Sequence, residues 1–197
     1  HHLVKTGEMD NPDYTTNPSN RCYFCKTELY DQLEVLREKW NVEVIFDGSN
    51  VDDVSDYRPG HKAAREREVI SPLIETNISK EEIRKFSRKR GLPTWDQPAM
   101  PCLSSRFPYG VKINEVKLDQ VEQAEAFLRS LGLCNFRVRH HENLARIEVD
   151  RSEMSRLMEP KLFGQISSRF KSIGYSYVTL DLEGFRSGSL NEELKKD

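Results

Sequence analysis

Apolar positions in the first half of the chain fall in short runs separated by polar segments with helical spacing. Residues 3–6 read as a short apolar strand, and residues 7–20 as a loop rich in Asn, Asp, Pro and Thr. From Cys22 to Trp40, Phe24, Leu29, Leu33 and Leu36 recur on one side of a predicted helix. Val42, Val44, Ile45 and Phe46 form a β-branched and aromatic run that stops at Asp47-Gly48, which predicts a buried strand. Residues 52–67 read as a charged loop that becomes a helix after Pro59, and Val69-Ile70-Ser71-Pro72-Leu73 as another short strand. Ser79 and Glu82 have capping-box spacing for a helix that runs to Arg90 and ends at Gly91. Strand and helix alternate, which predicts a parallel sheet covered by helices.

The pattern changes after the prolines at 93, 98 and 101. Residues 114–131 read as an amphipathic helix closed by Gly132. Residues 136–140 and 145–150 alternate apolar and polar around His141-Glu142-Asn143-Leu144, as a hairpin does. Residues 152–173 read as helical despite Pro160, and Val178, Leu180 and Leu182 alternate as a last strand. The expected fold is an α/β unit over residues 1–100 and a small α+β unit over 101–197. Its charged tail, from Asn191, is expected to fray. No internal repeat is visible.

The chain has 197 residues and a formal net charge of −2, which argues against a large nucleic-acid footprint. No apolar run approaches the roughly 20 residues of a membrane span, so no membrane partner is expected. No secretory signal opens the chain, and four cysteines without disulfide-dense spacing fit a reducing, cytoplasmic setting. His1-His2 fits either a tag remnant or the edge of a truncated strand.

Candidate chemistry begins at Pro101-Cys102-Leu103-Ser104-Ser105-Arg106. A loop can present a thiol to a ligand, Arg106 favours the thiolate, and Ser104 and Ser105 can donate to an anion. The alternative is a buried structural cysteine. Cys22-Tyr23-Phe24-Cys25 is a CxxC at a helix start, with redox or metal binding set against plain packing. Asp47, Gly48, Asn50 and Asp52 follow a predicted strand, where open parallel sheets bind ligands, and Arg58 adds a cation. The alternative there is an ordinary Asx-rich turn. Arg137 and Arg139 share a strand face, and two adjacent guanidinium groups repel unless an anion lies between them. Arg146 and Glu148 share one face of the partner strand, so cross-strand ion pairs on a solvated sheet remain the alternative. Glu125 on the preceding helix reads as an ordinary solvated residue, and His140-His141 point to opposite faces and make a poor metal pair.

These stretches together resemble the LarE-type ATP-dependent sacrificial sulfur transferases of the PP-loop superfamily. The matching residues run in order: Asn17–Lys26, Asp47–Asp53 with Arg58-Pro59-Gly60, and Ser71-Pro72-Leu73. Pro101–Arg106, Arg137-Val138-Arg139, Ala145–Glu148 and Arg186-Ser187-Gly188-Ser189 follow. The resemblance implies ATP and Mg2+ as cofactors, a homo-oligomer, and an anionic pyridinium carboxylate mononucleotide as substrate. It implies that this carboxylate is adenylylated and attacked by Cys102, and that the thioester then breaks to a thiocarboxylate and dehydroalanine, in nickel-pincer nucleotide biosynthesis. By the same resemblance, Arg106, Arg137 and Arg139 hold the substrate anion, with Ser104, Ser105 and Arg146 beside them. Glu148 joins Cys102 as a candidate base, and Glu125 is a candidate metal contact. Asp47, Gly48, Asn50, Asp52 and Arg58 fall to the nucleotide side. Some members of the family instead hold an iron–sulfur cluster on three cysteines. That needs Cys22 and Cys25 brought to Cys102, so a cluster is not expected. The superfamily's Ser-Gly-Gly-Xaa-Asp-Ser loop is missing, since the chain contains no Gly-Gly pair. An incomplete sheet and an incomplete ATP site are therefore expected. Two rivals remain: a ligase of the same superfamily with a regenerated cysteine, and a truncated chain that only binds anions.

Overall fold

The computed structural model describes residues 1–55, 57–98 and 100–195, without the side chains of residues 193 and 195. It is a mixed α/β structure that divides into two compact units, His1–Gln97 and Pro98–Asp197.

The first unit is mainly helical. Its helices are α1 (Pro12–Thr15), α2 (Arg21–Trp40), α3 (Gly60–Glu66), α4 (Pro72–Glu75) and α5 (Lys80–Lys89). Tyr30 of α2 packs with Ala63 and Ala64 of α3, flanked by Tyr23, Leu33 and Val69. Gly60 permits the close approach of α2 and α3, because a Cβ there would meet Lys26 Cγ at 2.9 Å. The capping box expected at α5 is present, with Ser79 and Glu82 bonding reciprocally. The expected strands are not. Residues 3–6 have no strand pairing, and the runs at 42–46 and 69–73 meet only at one parallel bridge, Phe46 to Ile70. Val42, Val44 and Phe46 are exposed rather than buried. β-branched residues favour a strand only where a neighbouring ladder and a covering layer exist. At Ser71-Pro72 the chain turns into α4, with Pro72 at the first helical position, where its missing N–H costs nothing.

The second unit follows the predicted order of helix, hairpin, helix and strand. It contains α6 (Glu115–Ser130), β1 (Phe136–His141), β2 (Leu144–Val149), α7 (Met154–Leu157), α8 (Pro160–Ile173) and β3 (Tyr177–Leu180). The sheet order is β1-β2-β3; β1 and β2 are antiparallel, and β2 and β3 are parallel. Asn114 caps α6 by accepting from the Lys117 N–H. Gly174 closes α8 at φ 115°, a left-handed conformation that favours glycine. The predicted single helix over 152–173 is broken instead. Pro160 has no N–H to donate and its ring clashes with the preceding turn, so it starts α8 rather than lying within one helix. The last strand ends at Leu180, and Leu182 is exposed.

Period-two alternation divides the sheet into two faces. Val138, Ala145, Ile147 and Val149 join Ala124 and Leu128 of α6, Phe170 of α8, and Tyr175 in the hydrophobic core. The register pairs Arg137 with Glu148 and Arg139 with Arg146, so these four side chains share the other face. Within the tail expected to fray, residues 191–195 belong to a 3-10 helix, Ser189–Lys195. Residues 196 and 197 lie outside the described residues.

Candidate functional site

Cys102 is an exposed free thiol. It caps a one-turn 3-10 helix, Leu103–Arg106, and its own backbone carbonyl is heavily engaged. That oxygen accepts from the Ser105 N–H at 3.0 Å, the Ser105 hydroxyl at 2.8 Å and Arg106 Nη1 at 3.1 Å. Arg106 Nη1 also donates to the Pro101 carbonyl at 2.9 Å and to Ser105 Oγ at 2.9 Å. The thiol therefore stands in solvent on a backbone held from beneath.

Arg106 supplies most of that hold and is 2% exposed. Its Nε and Nη2 donate to the two oxygens of Glu125 at 2.7 and 2.9 Å. Glu125 Oε1 also accepts from the Val138 N–H at 3.0 Å, a group on β1, which among the described residues is an edge strand. Both carboxylate oxygens of Glu125 are thus used in tying the Cys102 turn to α6 and β1. The structure places Arg106 and Glu125 beneath the thiol, as a buried pair, rather than at an open anion or metal site. Ser104 is also buried.

Arg139 forms a second, parallel clamp. It donates through Nε and Nη2 to the two oxygens of Glu148 at 2.9 and 2.8 Å, and through Nη1 to the Ser105 carbonyl at 2.7 Å. Arg146 reaches Glu148 Oε1 at 3.3 Å and Asp181 Oδ2 at 3.6 Å. The anion that relieves repulsion on this face is, for Arg139, the protein's own Glu148. Arg137 lies with its guanidinium 4.9 Å from the centre of the Phe185 ring and donates to the Phe136 carbonyl at 2.6 Å. Burial, followed by the neighbouring Arg106 charge, pulls its pKa down to about 10, so it stays a cation at neutral pH. Of these arginines, Arg146 is the open one, with 40% of its side chain exposed.

Two contributors had no role assigned from the residues alone. Ser189 Oγ accepts from Arg139 Nη2 at 2.7 Å and lies 3.4 Å from Glu148 Oε2. Asn191 accepts from the Tyr109 hydroxyl at 3.0 Å, which pins the same C-terminal segment a second time. Ser189 closes the Arg186–Ser189 stretch singled out in the sequence, whereas nothing in the sequence pointed to Asn191.

The described residues between 47 and 58 bond to one another and to neighbouring elements of the first unit. Asp47 accepts from Ser71 Oγ at 2.7 Å, Ser49 Oγ at 2.9 Å, the Ser49 N–H at 3.1 Å and Tyr30 at 3.3 Å. Burial pushes the Asp47 carboxyl up, but the bonds from Ser71 and Ser49 outweigh it and hold its pKa below the usual range. Asn50 Oδ1 accepts from the Asp52 N–H, Asp52 Oδ2 from the Lys80 N–H, and Arg58 pairs with Asp53 at 2.8 Å. A Cβ built on Gly48 meets nothing within 4 Å, so the space beside that turn is open. No group of three or more His, Cys, Asp or Glu side chains is placed for a metal ion among the described residues. Cys22 and Cys25 are the second and fifth residues of α2. No helix of the described residues is long and apolar enough to cross a membrane.

No protein-family model matches the chain. An uncharacterised protein of Synechocystis sp. is 52% identical to it over 196 residues, covering 100% of the chain and 73% of the relative. The pyridinium-3,5-bisthiocarboxylic acid mononucleotide synthase of Lactiplantibacillus plantarum is 36% identical over 181 residues, 91% of the chain and 64% of the synthase. This chain belongs to the LarE-like family. A further relative, an uncharacterised protein of Methanocaldococcus jannaschii, is 33% identical over 171 residues, 87% of the chain and 66% of the relative. The chain thus spans about two thirds to three quarters of the relatives it matches.

Proposed function

We propose that this chain is a sulfur transferase in which Cys102 gives its own sulfur to an activated carboxyl group of a pyridinium mononucleotide. The observation that carries this reading is the mounting of Cys102. An exposed thiol stands on a turn fixed by two buried arginine–carboxylate clamps, in a chain related to a bisthiocarboxylic acid mononucleotide synthase.

The Cys102 thiolate attacks the activated carboxyl carbon, and the leaving group departs with its bonding pair. A thioester between Sγ and the substrate carbonyl results. A base then removes the Cys102 Cα proton, the Cβ–Sγ bond breaks, and the sulfur leaves with the substrate as a thiocarboxylate. The cysteine becomes dehydroalanine, so each chain transfers one sulfur atom. Arg106 and Arg139 hold the turn against displacement during both steps, because their N–H groups end on its backbone carbonyls. Half-exposed Arg146, with Arg137 on the same sheet face, supplies positive charge for the anionic substrate. Glu148 accepts from Arg139 and Arg146 and so holds both guanidinium groups on that sheet face.

The test uses the chain with a chemically activated pyridinium dicarboxylate mononucleotide. Wild type yields thiocarboxylate, detected by mass spectrometry, in an amount not exceeding one equivalent. Cys102→Ala yields none while keeping the wild-type circular dichroism spectrum. Product formed by Cys102→Ala contradicts the donor assignment.

A further inference from the structure

The Cys102 carbonyl oxygen is unusual in its donors. A 3-10 turn supplies one backbone N–H, here from Ser105 at 3.0 Å. A hydroxyl at 2.8 Å and a guanidinium nitrogen at 3.1 Å converge on the same oxygen. The guanidinium belongs to Arg106, which is held by two bonds to Glu125 and cannot swing away without breaking a buried ion pair. The Ser105 hydroxyl is itself polarised, because its oxygen accepts from Arg106 Nη1 at 2.9 Å. Fixing the loop needs one such bond, not three on one atom.

We propose that Ser105 and Arg106 form an oxyanion hole for the backbone carbonyl of Cys102, and that this hole drives the release of sulfur from the protein. The inference rests on the reading of Cys102 as sulfur donor and concerns the second step, elimination. Removing the Cα proton puts a carbanion next to the Cys102 carbonyl. Its charge delocalises onto the carbonyl oxygen as an enolate. The electron pair then forms the Cα–Cβ double bond, and the Cβ–Sγ pair leaves with the thiocarboxylate. The proton goes to a solvent base, which reaches an exposed residue. A peptide Cα proton is a very weak acid, so the step needs stabilisation of negative charge on that oxygen. Preorganised donors aimed at the atom where charge develops supply it. The same donors do nothing for the first step, whose developing charge lies on the substrate carbonyl. Arg106 thus acts on the reacting backbone from below, without meeting solvent.

The hole is tested apart from the sulfur-transfer reading by using an artificial leaving group. Full-length protein is labelled on its cysteines with a dinitrophenyl group, which eliminates as dinitrothiophenolate to leave dehydroalanine. Peptide mass spectrometry then follows dehydroalanine at Cys102 and at Cys134, an exposed cysteine in the same unit. Elimination at Cys102 is expected to run at least about tenfold faster than at Cys134. Ser105→Ala removes one of the three donors and lowers the Cys102 rate about tenfold, leaving Cys134 unchanged. Ser105→Thr, which keeps a hydroxyl, restores most of the rate. Equal rates at Cys102 in wild type and Ser105→Ala overturn the proposal, as does parity between Cys102 and Cys134 in wild type. Fast, Ser105-dependent elimination from a protein that gives no thiocarboxylate from the mononucleotide leaves the hole standing and removes the donor reading. In the natural reaction, Ser105→Ala accumulates the thioester on Cys102, visible by intact mass.

Discussion

Glu125→Gln tests the clamp beneath Cys102 most sharply, because it changes charge and almost no volume. In wild type the carboxylate accepts three bonds, from Arg106 Nε, Arg106 Nη2 and the Val138 N–H. A glutamine oxygen in the Oε1 position keeps the bonds from Nε and Val138. The amide nitrogen then faces Arg106 Nη2, donor against donor, and the guanidinium is left buried at 2% exposure without a counter-charge. Breaking a buried pair by removing one charge costs about 3–5 kcal/mol, and the two retained bonds place this variant near 3 kcal/mol. Both tryptophans, Trp40 and Trp95, lie in the first unit, so tryptophan fluorescence does not report this loss. Hydrogen exchange in α6 and β1 does. A loss of about 3 kcal/mol accelerates exchange there about 10²-fold, with the α2 and α3 amides little changed. An acceleration below about tenfold would mean that Arg106 is not held by Glu125 as described, and would refute the clamp. Replacing both partners, Arg106→Leu with Glu125→Leu, recovers part of the stability, since an apolar pair carries no desolvation penalty.

Three further outcomes follow from the same geometry. His140 is buried against Phe107 and Tyr175, and burial, followed by the Lys117 charge, lowers its pKa to about 4. Between pH 6.5 and 4 the unfolded chain binds the proton that the folded one refuses, so stability is full above pH 6.5 and falls by up to about 3 kcal/mol towards pH 4. Urea titrations at pH 7 and pH 4.5 should show this loss in wild type and a smaller one in His140→Gln; identical losses refute the assignment. Gly184 has φ 76°, and a Cβ there would meet the Val149 carbonyl at 2.8 Å, so Gly184→Ala should lower thermal stability by about 1–3 kcal/mol; an unchanged melting temperature contradicts it. Arg139→Ala should leave Glu148 buried with less counter-charge, costing about 3–5 kcal/mol in the same exchange measurement, and a loss under about 1 kcal/mol counts against the second clamp.

The second unit was legible because its signals are local. Asn114 and Gly132 bracket α6, and the strict alternation of Phe136, Val138 and His140 with Arg137 and Arg139 sets the faces of β1. The first unit was less so. Val42, Val44 and Phe46 have strand composition, but a strand is made by its neighbours, and one bridge is all that pairs this run. Pro160 misled in the opposite way: the helical period runs through it, while its missing N–H makes it a helix start. At the site, the residues themselves were legible and their partners were not. Arg106 adjoins Ser104 and Ser105 in sequence, which suggests a ligand-facing group. Its partner Glu125 is 19 residues away on another element, and only the fold buries the two together. Likewise, the paired arginines on β1 call for an anion, and the fold answers for Arg139 with Glu148 from β2.

Intact and peptide mass spectrometry of the protein after reaction with the activated mononucleotide decides whether Cys102 is the sulfur donor. The expected result is loss of the elements of hydrogen sulfide from the chain, located at Cys102 as dehydroalanine, in proportion to the thiocarboxylate formed. Thiocarboxylate formed with Cys102 intact would contradict it.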